Sequence, residues 1–89
     1  ILVVGHEKER VTSATGAYIK SLNLDPNKFK FATQIAQNGS GDAVKSALPT
    51  LGGFVGNVLI LCGDCPLIEK TTLEALINKH VAENATLSL

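Results

Sequence analysis

The 89-residue chain has no excess of charge of either sign: eight lysines and arginines balance eight aspartates and glutamates. Binding to DNA or RNA takes concentrated positive charge that releases counterions from phosphates, so we expect no nucleic-acid partner. No stretch of the sequence reaches the roughly 20 apolar residues of a membrane-spanning helix, so we expect no membrane partner. Hydrophobic residues make up 45% of the chain, which is the composition of a globular protein.

Cysteine is also scarce. The two cysteines, Cys62 and Cys65, are too few and too close in sequence to form the disulfide framework of a small secreted domain. We therefore expect a reducing, cytoplasmic compartment. The length allows one domain at most. Because the chain opens directly on the strand-like run ILVVG, we expect residues 1–89 to be a fragment of a single domain of a longer protein.

Short apolar runs alternate with amphipathic segments. Residues 1–4 and 58–61 are wholly apolar, which is typical of strands buried in a parallel sheet, and residues 29–35 alternate as a strand does. The pattern predicts helices at 7–20, 42–48 and 71–83, and a last strand at 84–89. The order β-α-β-α-β-α-β predicts an α/β fold, Rossmann-like, with a mostly parallel sheet and flanking helices.

Ligands of such sheets lie beyond the carboxyl ends of the strands. We therefore expect the loops QNGSGD, after the second strand, and CGDCP, after the third, at the ligand-binding edge. In the first loop, Gly39 lets the backbone approach a ligand, and Ser40 can donate a hydrogen bond to a base or phosphate oxygen. A plain turn capped by Ser40 or Asp42 explains the same residues. Gln34 precedes this loop and Gln37 is its first residue, and an amide suits the imide edge of uracil, although spacing alone favours ordinary surface glutamines.

Asp64 follows the apolar run 58–61 and Gly63, so a rigid strand presents its carboxylate beside open space. Mg²⁺ prefers one or two carboxylates together with substrate phosphates, which makes Asp64 a candidate metal ligand. A turn aspartate before Pro66 is an equally good interpretation.

The spacing C-x-x-C after a strand also occurs in thioredoxin-like redox sites. Pro66 follows Cys65 at once, so we expect the next helix to start too late for its amides to face the thiols. A zinc site would need two further ligands, and His6 and His80 lack a paired spacing. Small residues packed near a strand end are the simplest interpretation of both cysteines.

The two loops in this order resemble a known family. TQIAQNGSGDAVKSALP followed by VLILCGDCPLIEKTTLEAL is similar to the uridyltransferase domain of bacterial N-acetylglucosamine-1-phosphate uridyltransferases, which read Q-x-x-Q-x-G-T-G-H-A-V and V-L-x-L-Y-G-D-V-P-L-I. The resemblance extends over nearly the whole chain and implies the middle part of a nucleotidyltransferase domain.

The resemblance implies that UTP and N-acetylglucosamine 1-phosphate give UDP-N-acetylglucosamine and pyrophosphate, with Mg²⁺ as cofactor, in a homo-oligomeric full-length protein. Gln34 matches the glutamine that contacts uracil, and Gly39 and Ser40 match the pair that holds the base. Cys62 and Gly63 match residues near the sugar. Asp64 matches the Mg²⁺ ligand, so its catalytic role would be exerted through the metal.

Four residues depart from the family pattern: Ser40 replaces threonine, Asp42 replaces histidine, Cys62 replaces tyrosine and Cys65 replaces valine. They leave the sugar-side contacts and the substrate open. Another nucleotidyltransferase, such as a cytidylyltransferase of the molybdenum-cofactor type, therefore remains an alternative. A thiol–disulfide oxidoreductase using Cys62 and Cys65, and a non-catalytic binding domain, are the alternatives from other classes.

Overall fold

Two short parallel strands organise the first part of the chain. The computed structural model describes all 89 residues, and they form two compact units, residues 1–58 and 59–89, which are described separately. Strand β1 spans Leu2–Val4 and strand β2 spans Phe31–Thr33, with Leu2 opposite Phe31 and Val4 opposite Thr33. The predicted α/β class is thus present as a two-stranded parallel sheet with helices.

The core of the first unit lies where this sheet meets helix α1, Lys8–Ser21. Val4, Ile19 and Ala32 are the three buried apolar residues, each 5% exposed. Helix α1 ends where Asn23 takes a left-handed conformation (φ 54°), and the Leu24 amide donates to the Ile19 carbonyl. This bond pattern is a Schellman motif, which satisfies carbonyls that the helix end leaves open.

Helix α2, Ser40–Leu51, continues through Pro49, so the prediction that it ends at Leu48 is wrong. Proline disfavours the helical conformation at the preceding residue without forbidding it, and here it removes only one amide donor in the last turn. The helix stops instead at Gly52, whose left-handed conformation (φ 57°) is the usual helix terminator.

Helix α3 of the second unit spans Lys70–Ala82, close to the predicted 71–83. Glu69 stands at its N-terminal boundary, and no side chain caps the helix. The helix ends as α1 does: Asn84 is left-handed and the Ala85 amide donates to the His80 carbonyl. No helix of the protein combines the length and hydropathy needed to cross a membrane.

The strands predicted at 58–61 and 84–89 are not formed. Val58–Leu61 makes no hydrogen bond between backbone groups, and its four side chains are 43–58% exposed. An apolar run specifies burial but not the neighbouring strand that must supply its hydrogen bonds, and no strand pairs with it here. The prediction of a larger mostly parallel sheet is therefore met only by β1 and β2.

Candidate functional site

The loops that follow β1 and β2 lie side by side in the first unit. The Gln34 amide, just after β2, donates to the carbonyl of Val4 at the end of β1 (2.8 Å). Gly5, just after β1, lies close to the loop QNGSGD that follows β2. A Cβ at Gly5 would come within 3.1 Å of the Gln37 side-chain nitrogen. The loop QNGSGD thus lies at the carboxyl edge of the parallel sheet, as predicted, whereas CGDCP follows no strand, so the prediction that it lies at the same edge is not met.

The side chain of Gln34 is held in one orientation at this edge. Its nitrogen Nε2 donates to the Gly39 carbonyl (3.1 Å) and to the Asp42 carboxylate oxygen Oδ2 (2.9 Å). Both partners can only accept, so the nitrogen must face them. Both N–H groups are therefore used, and the amide oxygen Oε1, which has no partner, remains available as an acceptor.

Gly39 and Ser40 form the start of helix α2. Gly39 has φ 97° and ψ 179°, a conformation that residues with a Cβ rarely adopt. No side chain caps the helix, and the Ser40 hydroxyl has no hydrogen-bond partner. The interpretation of Ser40 or Asp42 as a helix cap is therefore wrong. The amides of the first turn keep their capacity to bind a carbonyl or phosphate oxygen.

The role of Asp42 was not predicted from the sequence. Its carboxylate lies half-buried in the first turn of α2 and accepts the hydrogen bond from Gln34, eight residues earlier. One feature of the sequence could have predicted this contact, because an acid in the first turn of a helix can reach back to the loop that leads into it. From the sequence alone, Asp42 was only a candidate cap and a departure from a family histidine.

Cys62, Gly63 and Asp64 lie in the second unit, in an exposed turn rather than at the end of a strand. The Cys65 amide donates to the Cys62 carbonyl (3.3 Å), which closes the turn around Gly63 and Asp64. The Asp64 carboxylate accepts one weak bond, from the Cys65 thiol (3.6 Å), and forms no ion pair. Its oxygens are therefore accessible, and residues 64–68 line a shallow surface depression beside it.

The environment of Cys65 is unfavourable for redox catalysis. The negative charge of Asp64 raises the pKa of the Cys65 thiol, and the hydrogen bond that the thiol donates to Asp64 adds to the effect. Thioredoxin-like sites do the opposite, because their helix amides lower the thiol pKa. Helix α3 begins only at Lys70, as the position of Pro66 led us to expect.

The donor groups fit magnesium better than zinc. No three side chains among His, Cys, Asp and Glu come close enough together to hold a metal ion. His6 is exposed, and His80 shares a hydrogen bond with the Ser88 hydroxyl (3.0 Å) rather than facing other ligands. Structural zinc takes four protein ligands, whereas Mg²⁺ needs only one or two carboxylates besides phosphates and water. Asp64 could supply one of them.

Comparison with known proteins agrees with the motifs. Over all 89 residues the chain is 40% identical to bifunctional protein GlmU of Geotalea uraniireducens (strain Rf4) and 42% identical to that of Geobacter metallireducens. All 89 residues of the chain align with one segment of each of these two GlmU proteins. The GlmU of Streptomyces griseus subsp. griseus is 42% identical over 84 residues, which cover 93% of the chain. These matches confirm the family resemblance inferred from the motifs.

The chain spans only 16–18% of the length of these three GlmU proteins. No protein-family model matches it, and no solved structure does.

Proposed function

We propose that this chain forms the middle part of a nucleotidyltransferase domain in a bifunctional uridyltransferase/acetyltransferase. The full-length protein would transfer uridylyl from UTP to N-acetylglucosamine 1-phosphate and release pyrophosphate. The similarity to GlmU over the whole chain carries the proposal, together with the paired motifs QIAQNGSGDAV and LILCGDCPLI.

The fixed amide of Gln34 supports uridine as the nucleoside. Its unpartnered Oε1 can accept the N3–H of uracil, whereas cytosine has no hydrogen on N3 and could reach this oxygen only through its 4-amino group. Ser40 and the first-turn amides of α2 can donate to the base carbonyls. This polarity favours UTP over the CTP that a cytidylyltransferase would use.

Asp64 is proposed as the Mg²⁺ ligand. Its carboxylate is exposed and weakly bonded, so little has to be broken when it coordinates an ion. Gly63 leaves open space beside it, since a Cβ at that position would meet nothing within 4 Å. Bound Mg²⁺ would neutralise phosphate charge during the reaction. Cys62 stands where the family has a tyrosine near the sugar, and we propose the same location for it.

The proposed chemistry is an in-line displacement in which a phosphate oxygen of the sugar phosphate attacks the α-phosphorus of UTP and pyrophosphate leaves. Such reactions depend on positioning and electrostatic stabilisation more than on covalent help from side chains. The chain would contribute the base contact at Gln34, the loop of Gly39 and Ser40, and the carboxylate of Asp64.

The test is the substitution Asp64→Ala in the full-length protein. We expect loss of Mg²⁺-dependent pyrophosphate release from UTP and N-acetylglucosamine 1-phosphate, with an unchanged circular dichroism spectrum. Glu69→Gln is the matched control, because Glu69 is a nearby exposed acid in the same unit and should be dispensable. Retention of activity in Asp64→Ala would refute the metal role, and activity with CTP in place of UTP would favour the cytidylyltransferase.

A further inference from the structure

The two cysteines are the two end residues of one turn. The amide of Cys65 donates to the carbonyl of Cys62, so these residues are the first and fourth of a hydrogen-bonded turn with Gly63 and Asp64 between them. Both thiols are free and both residues are exposed. Neither sulfur is shielded from reagents in solution.

This geometry matches what a disulfide requires. The end residues of such a turn have Cα atoms less than about 7 Å apart, and disulfides bridge Cα separations of about 4.4 to 6.8 Å. The central residue Gly63 has no side chain, and a Cβ there would meet nothing within 4 Å, so the turn has room to adjust. The backbone therefore places the two Cα atoms within the range that a disulfide can bridge.

We propose that Cys62 and Cys65 are a redox modification site, oxidised by a low-molecular-weight disulfide such as glutathione disulfide to an intrachain disulfide. One cysteine thiolate attacks the glutathione disulfide, which forms a mixed disulfide and releases one glutathione. The second cysteine thiolate attacks the chain sulfur of that mixed disulfide and releases the other glutathione. The pair loses two electrons and two protons, and glutathione disulfide is reduced to two glutathiones.

This site differs from a thiol–disulfide oxidoreductase because the disulfide is the end product and no substrate protein is required. It is also independent of the proposed nucleotidyltransferase function, since it depends only on the turn and the two thiols. The turn closed by the disulfide contains Asp64, so oxidation would fix the backbone on either side of that carboxylate.

The test equilibrates the 89-residue chain with glutathione buffers of increasing oxidised fraction, followed by acid quenching, thiol blocking and mass measurement. We expect the intact chain to pass from two blocked thiols to none, with little mixed disulfide, and to return on addition of excess reduced glutathione. Cys62→Ser and Cys65→Ser are the matched controls, and each should accumulate only the mixed disulfide.

The same titration in concentrated urea measures the contribution of the turn. We expect half-oxidation in native buffer at a ratio of the oxidised glutathione concentration to the square of the reduced glutathione concentration about tenfold lower than in urea, because the turn preorganises the thiols. Equal midpoints in the two solvents would overturn the proposal. So would mixed disulfides or interchain dimers as the main products of the intact chain.

Discussion

The contact between Gln34 and Asp42 can be measured directly by a double-mutant cycle. We consider the variants Gln34→Ala, Asp42→Ala and the combination of both. If the carboxylate holds the amide as the 2.9 Å distance indicates, the two single substitutions should not add. The coupling between them isolates this hydrogen bond from the bond that Gln34 makes to Gly39.

The expected coupling follows from the nature and position of the bond. A hydrogen bond to a charged group contributes about 1.5–3 kcal/mol, and partial exposure of both residues places this one at the lower end. We therefore expect a coupling of about 1.5 kcal/mol. Asp42→Ala alone should cost about 2 kcal/mol, because it also removes an acid from the first turn of α2, worth ~0.3–1 kcal/mol.

The assay is equilibrium unfolding in urea, followed by the helical circular dichroism signal of all four chains. A side-chain amide spectrum gives a second readout, since the two Nε2 protons of Gln34 should exchange more rapidly once Asp42 is removed. Additivity of the single substitutions within about 0.3 kcal/mol would show that the two residues are energetically independent. Asp42 would then not hold the Gln34 amide in place, and the proposed contact of its oxygen with a base would be refuted.

Three further predictions concern other parts of the chain. Gly16→Ala should stabilise the chain by about 0.5–1 kcal/mol in urea unfolding, because Gly16 lies inside α1 and a Cβ there meets nothing within 4 Å; a loss of stability would contradict this. In a Cys62→Ser background, Asp64→Asn should lower the pKa of the Cys65 thiol, because it removes the negative charge that raises it. Alkylation of Cys65 should then be faster at pH values below that pKa, where the thiolate is the minor form. An unchanged pH profile of alkylation would refute the cause assigned to the shift. Ile60→Lys should reduce self-association measured by sedimentation, because Ile60 is 58% exposed and no charged residue stands between Lys45 and Asp64, whereas Leu22→Lys, outside that stretch, should have little effect.

The sequence predicted the first unit better than the second. Hydrophobic periodicity predicted the strands β1 and β2 and the helix between them. These features are local or involve neighbours in the chain. The prediction of a strand at 58–61 was wrong because an apolar run carries no information about which strand will pair with it.

The candidate site shows a similar division. The family resemblance singled out Gln34, whose spacing alone favours a surface glutamine, and the predicted strand before Asp64 singled out that residue. The roles proposed for both remain predictions. The orientation of the Gln34 amide could not be predicted, because it depends on two acceptors that only the folded loop brings together. Asp42 departs from the family pattern, but the sequence does not predict where its carboxylate lies in the fold.

Gly39 shows how a position can be restricted without being crowded. It is exposed, and a Cβ there would touch nothing within 4 Å, so a survey of contacts would rate every substitution as harmless. Its φ of 97° makes almost every substitution costly all the same, by about 1–3 kcal/mol. A mutational scan should therefore find a narrow tolerance at an open surface position. Redesign of this loop should keep the glycine and vary its neighbours.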